Sequence, residues 1–157
     1  MPSLYSYRPA QPSSDQTEFI HRERLMSTRP RILVADDHRA MLDSLVRLLS
    51  RDFDVVSAVT DGVSVVDAAA RHAPDLLVLD IAMPGLSGIA AAAQVKASGS
   101  PVKVVFVTNL HDREFVDGAL ALGDIGFVVK DRLVADLLPA IRTVLNGQSF
   151  VSPSVAR

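Results

Sequence analysis

From residue 31 onward the chain alternates two hydrophobic periods. The short runs "RILVA", "FDVVSAV", "DLLVLD", "VKVVFVT" and "IGFVVK" are rich in β-branched or aromatic residues, and the continuous apolar ones suit strands covered on both faces. Between them lie stretches with helical spacing: Met41, Leu42, Leu45, Leu48 and Leu49; Val63, Val65, Val66 and Ala69; residues 89–95; Phe115, Val116 and Leu120; and Leu133, Leu137, Ile141 and Leu145. The pattern predicts five strand-helix units. Punctuation agrees with it: Asp61 and Asp131 are predicted helix N-caps, Pro74 and Pro101 precede strands, and Gly99, Gly123 and Gly147 follow helices. Pro139 falls inside the last helix, where its missing N–H costs roughly 3 kcal/mol unless the helix kinks. A bend is therefore expected near Ala135.

Strict alternation of strand and helix requires right-handed crossovers and gives a doubly wound α/β fold, a five-stranded parallel sheet with five helices. Sites in such folds lie beyond the carboxyl ends of the strands. The first strand ends in Asp36 and Asp37, the third in Asp80, the fourth in Thr108 and the fifth in Lys130. Each alone has an ordinary explanation: paired aspartates cap helices, and a lysine at a strand end is usually a solvated charge. Independent turns, however, have no reason to deliver three carboxylates, a hydroxyl and an amine to one rim.

The remaining composition narrows the chemistry. The first twenty-nine residues lack a sustained apolar period and read as a disordered tail, with Met26 an alternative start; residues 30–147 form the predicted domain and 148–157 a tail or linker. A chain of 157 residues, 48% hydrophobic and 22% charged, can bury one core. No apolar run reaches the length of a membrane span, so a cytoplasmic protein is expected. Without cysteine there are no thiolate sites, and a net charge of −2 gives no electrostatic footprint for nucleic acid. The histidines at 21, 38, 72 and 111 share no ligand spacing, so no metal-imidazole site is expected; no glycine-rich phosphate loop occurs. The acidic rim needs a cation: two carboxylates about 4 Å apart repel by roughly 4 kcal/mol at an effective dielectric near 20. All-oxygen ligation favours a hard ion, and Mg²⁺ shares oxygens with phosphoryl groups. Asp80 is then available as a nucleophile, with Lys130 and Thr108 as donors to the transferred group.

The strings "ADDH", "LLVLDIAMPGLSG", "VVFVT" and "GFVVKD", in this order, resemble the receiver domain of two-component response regulators, over residues 31 to about 150. The resemblance implies a flavodoxin-like fold, with Asp80 as phosphoacceptor for a histidine kinase or phosphotransfer protein. It implies Asp37 as the direct Mg²⁺ ligand with Asp36 beside it, the Ala82 backbone carbonyl as a further ligand, and Thr108 and Phe127 as the switch read by a downstream protein. It implies no enzyme activity beyond the chain's own phosphorylation and dephosphorylation, and dimerisation through the first or last helices. Asn109 stands where the family commonly has a small residue. Ala82 offers no polar side chain to orient water, and Leu110 is apolar, so a long-lived phosphoform is expected. Ala82 also argues against a haloacid-dehalogenase-type phosphatase, which has a second aspartate there, and the intact rim argues against a degenerate binding module. Asp124 receives no role. The ending "LLPAIRTVLNGQSFVSPSVAR" resembles receivers of LuxR-type helix-turn-helix regulators, leaving open a stand-alone receiver or the receiver part of a transcription factor.

Overall fold

The computed structural model describes residues 13–18, 29–109 and 113–153. Its elements run β1 (Arg31–Ala35), α1 (Arg39–Leu49), β2 (Asp54–Val59), α2 (Gly62–His72), β3 (Leu76–Leu79), α3 (Gly88–Ala97), β4 (Lys103–Thr108), α4 (Arg113–Leu120), β5 (Ile125–Val129), a 3₁₀ turn (Lys130–Arg132), α5 (Leu133–Leu145) and β6 (Phe150–Val151). All strands pair in parallel, in the order β2-β1-β3-β4-β5-β6. The doubly wound α/β class is as expected, but the sheet has six strands rather than five. The sixth is two residues long, too short to carry a periodic signal, and it pairs through Gly126↔Phe150 and Phe127↔Val151.

Alternation along each strand splits the core into two layers. Leu33, Leu77, Leu79, Phe106 and Phe127 pack with Val65, Ala91 and Val116 on one face. Ile32, Val34, Val78, Val105 and Val107 pack with Leu45, Leu137 and Ile141 on the other. Strands β1, β3 and β5 are buried along their whole length, which explains why they read as continuous apolar runs.

Asp61 caps α2 by accepting the Ser64 N–H at 2.8 Å. Asp131 caps nothing: it lies within the 3₁₀ turn, and α5 begins after Arg132 without a side-chain cap. Helix α5 runs undivided through Pro139. Ala135, whose carbonyl loses the N–H that another residue at 139 would offer, is exposed along with Pro139. Water can satisfy that carbonyl, which lowers the cost of the proline. Residues 14–18, placed in the expected tail, form a helical turn with a reciprocal capping box, Ser13 N–H to Gln16 Oε1 and Gln16 N–H to Ser13 Oγ. Among the described residues no helix is long and apolar enough to cross a membrane.

Candidate functional site

Strand register brings the acidic residues together. Ala35 pairs with Leu79, so the next residue on each strand, Asp36 and Asp80, emerges side by side. The Asp80 N–H extends the ladder to the Ala35 carbonyl at 2.9 Å. The sheet order reverses between β1 and β3, making this the switch point at which doubly wound sheets hold ligands. On the far side Thr108 pairs with Val129, and Lys130 follows. The Lys130 side chain spans the rim: Nζ lies 2.8 Å from Asp36 Oδ2 and 3.2 Å from Asp80 Oδ2. Both carboxylates and the ammonium are buried. Asp36 Oδ2 meets the lysine as an ion pair without hydrogen-bond alignment, while Asp80 Oδ2 accepts a hydrogen bond from it.

Backbone amides fix the other carboxylate oxygens. Asp36 Oδ1 accepts the His38 N–H at 2.8 Å, turning the chain from β1 into α1, and Asp80 Oδ1 accepts the Ala82 N–H at 3.2 Å. Behind Asp80 the chain is tight: a Cβ on Gly88 would fall 2.1 Å from the Asp80 carbonyl oxygen, so only glycine lets α3 start there. Burial pushes the Asp80 carboxyl up, Lys130 opposes this, and Asp36 adds to it; the net direction is upward. Burial pushes the Lys130 ammonium down, but contact with Asp36 and the charges of Asp80 and Asp36 outweigh it, so the net direction is also upward.

Asp36, Asp37, His38 and Asp80 each offer a ligand atom, and these atoms lie within 4.8 Å of one another. Asp37 Oδ1 is shielded from solvent and accepts no hydrogen bond. Ionised, the three aspartates carry three negative charges against the one positive charge of Lys130. A hard divalent cation fits both that deficit and the oxygen donors. His38 was not expected here, because spacing between histidines is uninformative when the other ligands are aspartates. Its Nδ1 lies 3.2 Å from Asp37 Oδ1. Adjacency to the acidic pair at a strand end was the available signal.

Thr108 is buried at the end of β4. Phe127 is fully buried in β5, paired with Phe106. Ala82 and Asn109 are exposed beside the rim. Leu110 and His111 lie outside the described residues.

Fold and site together define a doubly wound α/β domain with an acidic, lysine-bridged centre at its switch point. Residues 32–142 match the response regulator receiver domain, and the chain belongs to that family. Members are signalling modules rather than metabolic enzymes. The chain is 32% identical over 124 residues to the oxygen regulatory protein NreC of Staphylococcus epidermidis, covering 77% of this chain and 57% of that protein. Among solved structures it is similar to a LuxR-family two-component response regulator from Aurantimonas sp. SI85-9A1, at 27% identity and a TM-score of 0.77, covering 82% of this chain and 94% of that one. It is also similar to a signal receiver domain from Mycobacterium tuberculosis, at 30% identity and a TM-score of 0.73, covering 78% and 100% respectively. The chain thus spans less than two thirds of the curated relative's length.

Proposed function

We propose that this chain is the phosphoacceptor receiver of a two-component phosphorelay and that Asp80 takes the phosphoryl group. The observation that carries the reading is Lys130 bridging two buried carboxylates, at 2.8 Å and 3.2 Å, at the switch point. The donor is a phosphohistidine on a kinase or phosphotransfer protein. An Asp80 oxygen attacks phosphorus; the O–P bond forms, the P–N bond breaks, and the electron pair stays on the imidazole, which takes a proton. Asp37, Asp36, Asp80 and the Ala82 carbonyl would hold Mg²⁺, which when bound neutralises the rim and shares phosphoryl oxygens.

Lys130 offers its charge to the phosphoryl oxygens as they arrive, and the Thr108 hydroxyl donates to one of them. Movement of Thr108 opens space for Phe127, changing the surface of β4, α4, β5 and α5 that a downstream protein reads. The modification biases this two-state element because it contacts Thr108 in one state only. With Ala82 unable to orient a water, the phosphoform is long-lived; a loss of label within seconds from the purified phosphoprotein would refute that part.

Intact mass after incubation with Mg²⁺ and acetyl phosphate tests the central reading. One added phosphoryl group is expected, absent from Asp80→Asn and absent without metal. Uptake by Asp80→Asn, or none by the unmodified chain with either acetyl phosphate or a histidine kinase, would overturn it. A second reading, the receiver part of a LuxR-type transcription factor, is favoured by the 57% coverage of the curated relative. The mass of the native protein from its source would decide that point.

A further inference from the structure

Lys130 sits at the head of a three-residue 3₁₀ turn, and both ends of that turn are tied to one buried hydroxyl. On the entry side, the Val129 N–H donates to Ser152 Oγ at 3.2 Å. On the exit side, Arg132 donates to Asp136 through Nε at 3.0 Å and Nη2 at 3.3 Å. Ser152 Oγ closes the circuit by donating to Asp136 Oδ2 at 2.8 Å, and the Ser152 N–H donates to the Phe127 carbonyl at 2.8 Å. Ser152 and Asp136 are both buried. The hydroxyl has one proton, given to Asp136, and accepts from Val129, so its bonding directions are set by the two groups that bracket Lys130.

We infer that Ser152, through Asp136 and Arg132, is a positioning residue that holds Lys130 in reach of Asp36 and Asp80. Lys130 crosses from β5 past β4 to reach β3 and β1, with strands about 4.8 Å apart, so a small rotation of its backbone displaces the ammonium by more than a hydrogen bond tolerates. The charge of the two carboxylates attracts the ammonium but does not fix where its backbone starts; the circuit does. Ser152 lies ten positions beyond the family match, which ends at residue 142, so the segment after α5 belongs to the working site. Ser152 also hydrogen-bonds the backbone on both sides of Val128, its N–H donating to the Phe127 carbonyl and its hydroxyl accepting from the Val129 N–H, so Phe127 and the residue before Lys130 are tied to the same residue. The functional half of this inference rests on the phosphoacceptor reading; the structural half does not.

The chain has only three lysines, Lys96, Lys103 and Lys130, so selective ¹⁵N-lysine labelling gives an ammonium spectrum that Lys→Arg variants assign. The experiment compares the full chain with Ser152→Ala, the milder Arg132→Gln, and Val144→Ala, a core truncation in α5 outside the circuit. The Lys130 resonance is expected to shift toward the free-lysine position in Ser152→Ala and Arg132→Gln but not in Val144→Ala. Phosphoryl uptake should fall about tenfold in Ser152→Ala, the scale of a misplaced charge contact. An unmoved Lys130 resonance in both circuit variants, or an equal change in Val144→Ala, would overturn the inference. A displaced resonance together with no uptake by the unmodified chain would reject the phosphoacceptor reading while supporting the positioning of Lys130.

Discussion

Lys130 holds two roles at once, and removing it exposes the electrostatic cost of the site. Asp36 is fully buried and Asp80 nearly so, both facing the same ammonium. Lys130→Met should therefore destabilise the fold by about 3 kcal/mol, as when one partner of a buried pair is removed, with Mg²⁺ restoring part of the loss; urea denaturation with and without the ion measures both. Asp80 behaves oppositely. Its folded pKa lies above the unfolded value of 3.8, so the native state binds the proton more tightly and ionisation opposes folding. The penalty is absent below the unfolded pKa, grows as pH rises to the folded pKa, and is constant above it. Asp80→Asn should consequently be more stable than the unmodified protein at neutral pH, with the gain shrinking as pH falls toward about 4; paired denaturation curves across that range check it. Asp36, Asp37, Asp80 and Lys130 were legible because strand ends can be read from hydrophobic runs. Ser152, Asp136 and the placement of His38 were not, since their roles depend on where separate segments meet in space.

Element positions were legible where a period could repeat. Helices α1, α2 and α5 each contribute about three turns of apolar spacing and the central strands are continuous runs, so the alternation could be read directly. The two-residue β6 and the three-residue 3₁₀ turn repeat nothing; β6 is set by pairing against β5, and the turn fills the step from β5 into α5. The Asp131 cap failed for the same reason, the turn having shifted the true start of α5. Junctions between elements carry their own predictions. At Gly88 the atoms a Cβ would meet are backbone, the Asp80 carbonyl oxygen at 2.1 Å and the Ile81 Cα at 3.1 Å, so they cannot rotate away. Gly88→Ala should cost about 2 kcal/mol by forcing α3 away from β3, and should slow phosphoryl uptake by shifting Asp80; denaturation and intact mass test the two parts. Pro139 gives the contrary sign. Pro139→Ala restores a donor for Ala135, and thermal denaturation should show a gain of about 1 kcal/mol, less than the peptide value because the proline also restrains the unfolded chain.

At the scale of the whole molecule, the proposed function would make the sheet convert a local charge deficit into a linkage between metal, phosphoryl group and fold. The three aspartates come from the ends of β1 and β3, whose strands form the centre of the core, so a cation bound between them would see the folded arrangement and not the unfolded chain. Binding to the native state alone stabilises by RT ln(1 + [L]/Kd), about 2.7 kcal/mol at a hundredfold excess over Kd. The melting temperature should therefore rise with Mg²⁺ at constant ionic strength and continue to rise logarithmically above Kd. Sodium chloride cannot substitute, since screening acts weakly on buried charge. Asp37→Asn neutralises the carboxylate whose Oδ1 accepts no hydrogen bond, and should abolish most of the shift while raising metal-free stability modestly, because one of three like charges is removed. An equal Mg²⁺ shift in Asp37→Asn would remove that aspartate from the site. Linkage also fixes a reciprocal expectation: if a phosphoryl mimic binds more tightly with Mg²⁺ present, Mg²⁺ must bind more tightly by the same factor with the mimic present. Titrating each ligand calorimetrically in the absence and presence of the other measures that factor twice; a factor well above one is expected if the two ligands meet at the rim between β1 and β3, and a factor of one would place them apart.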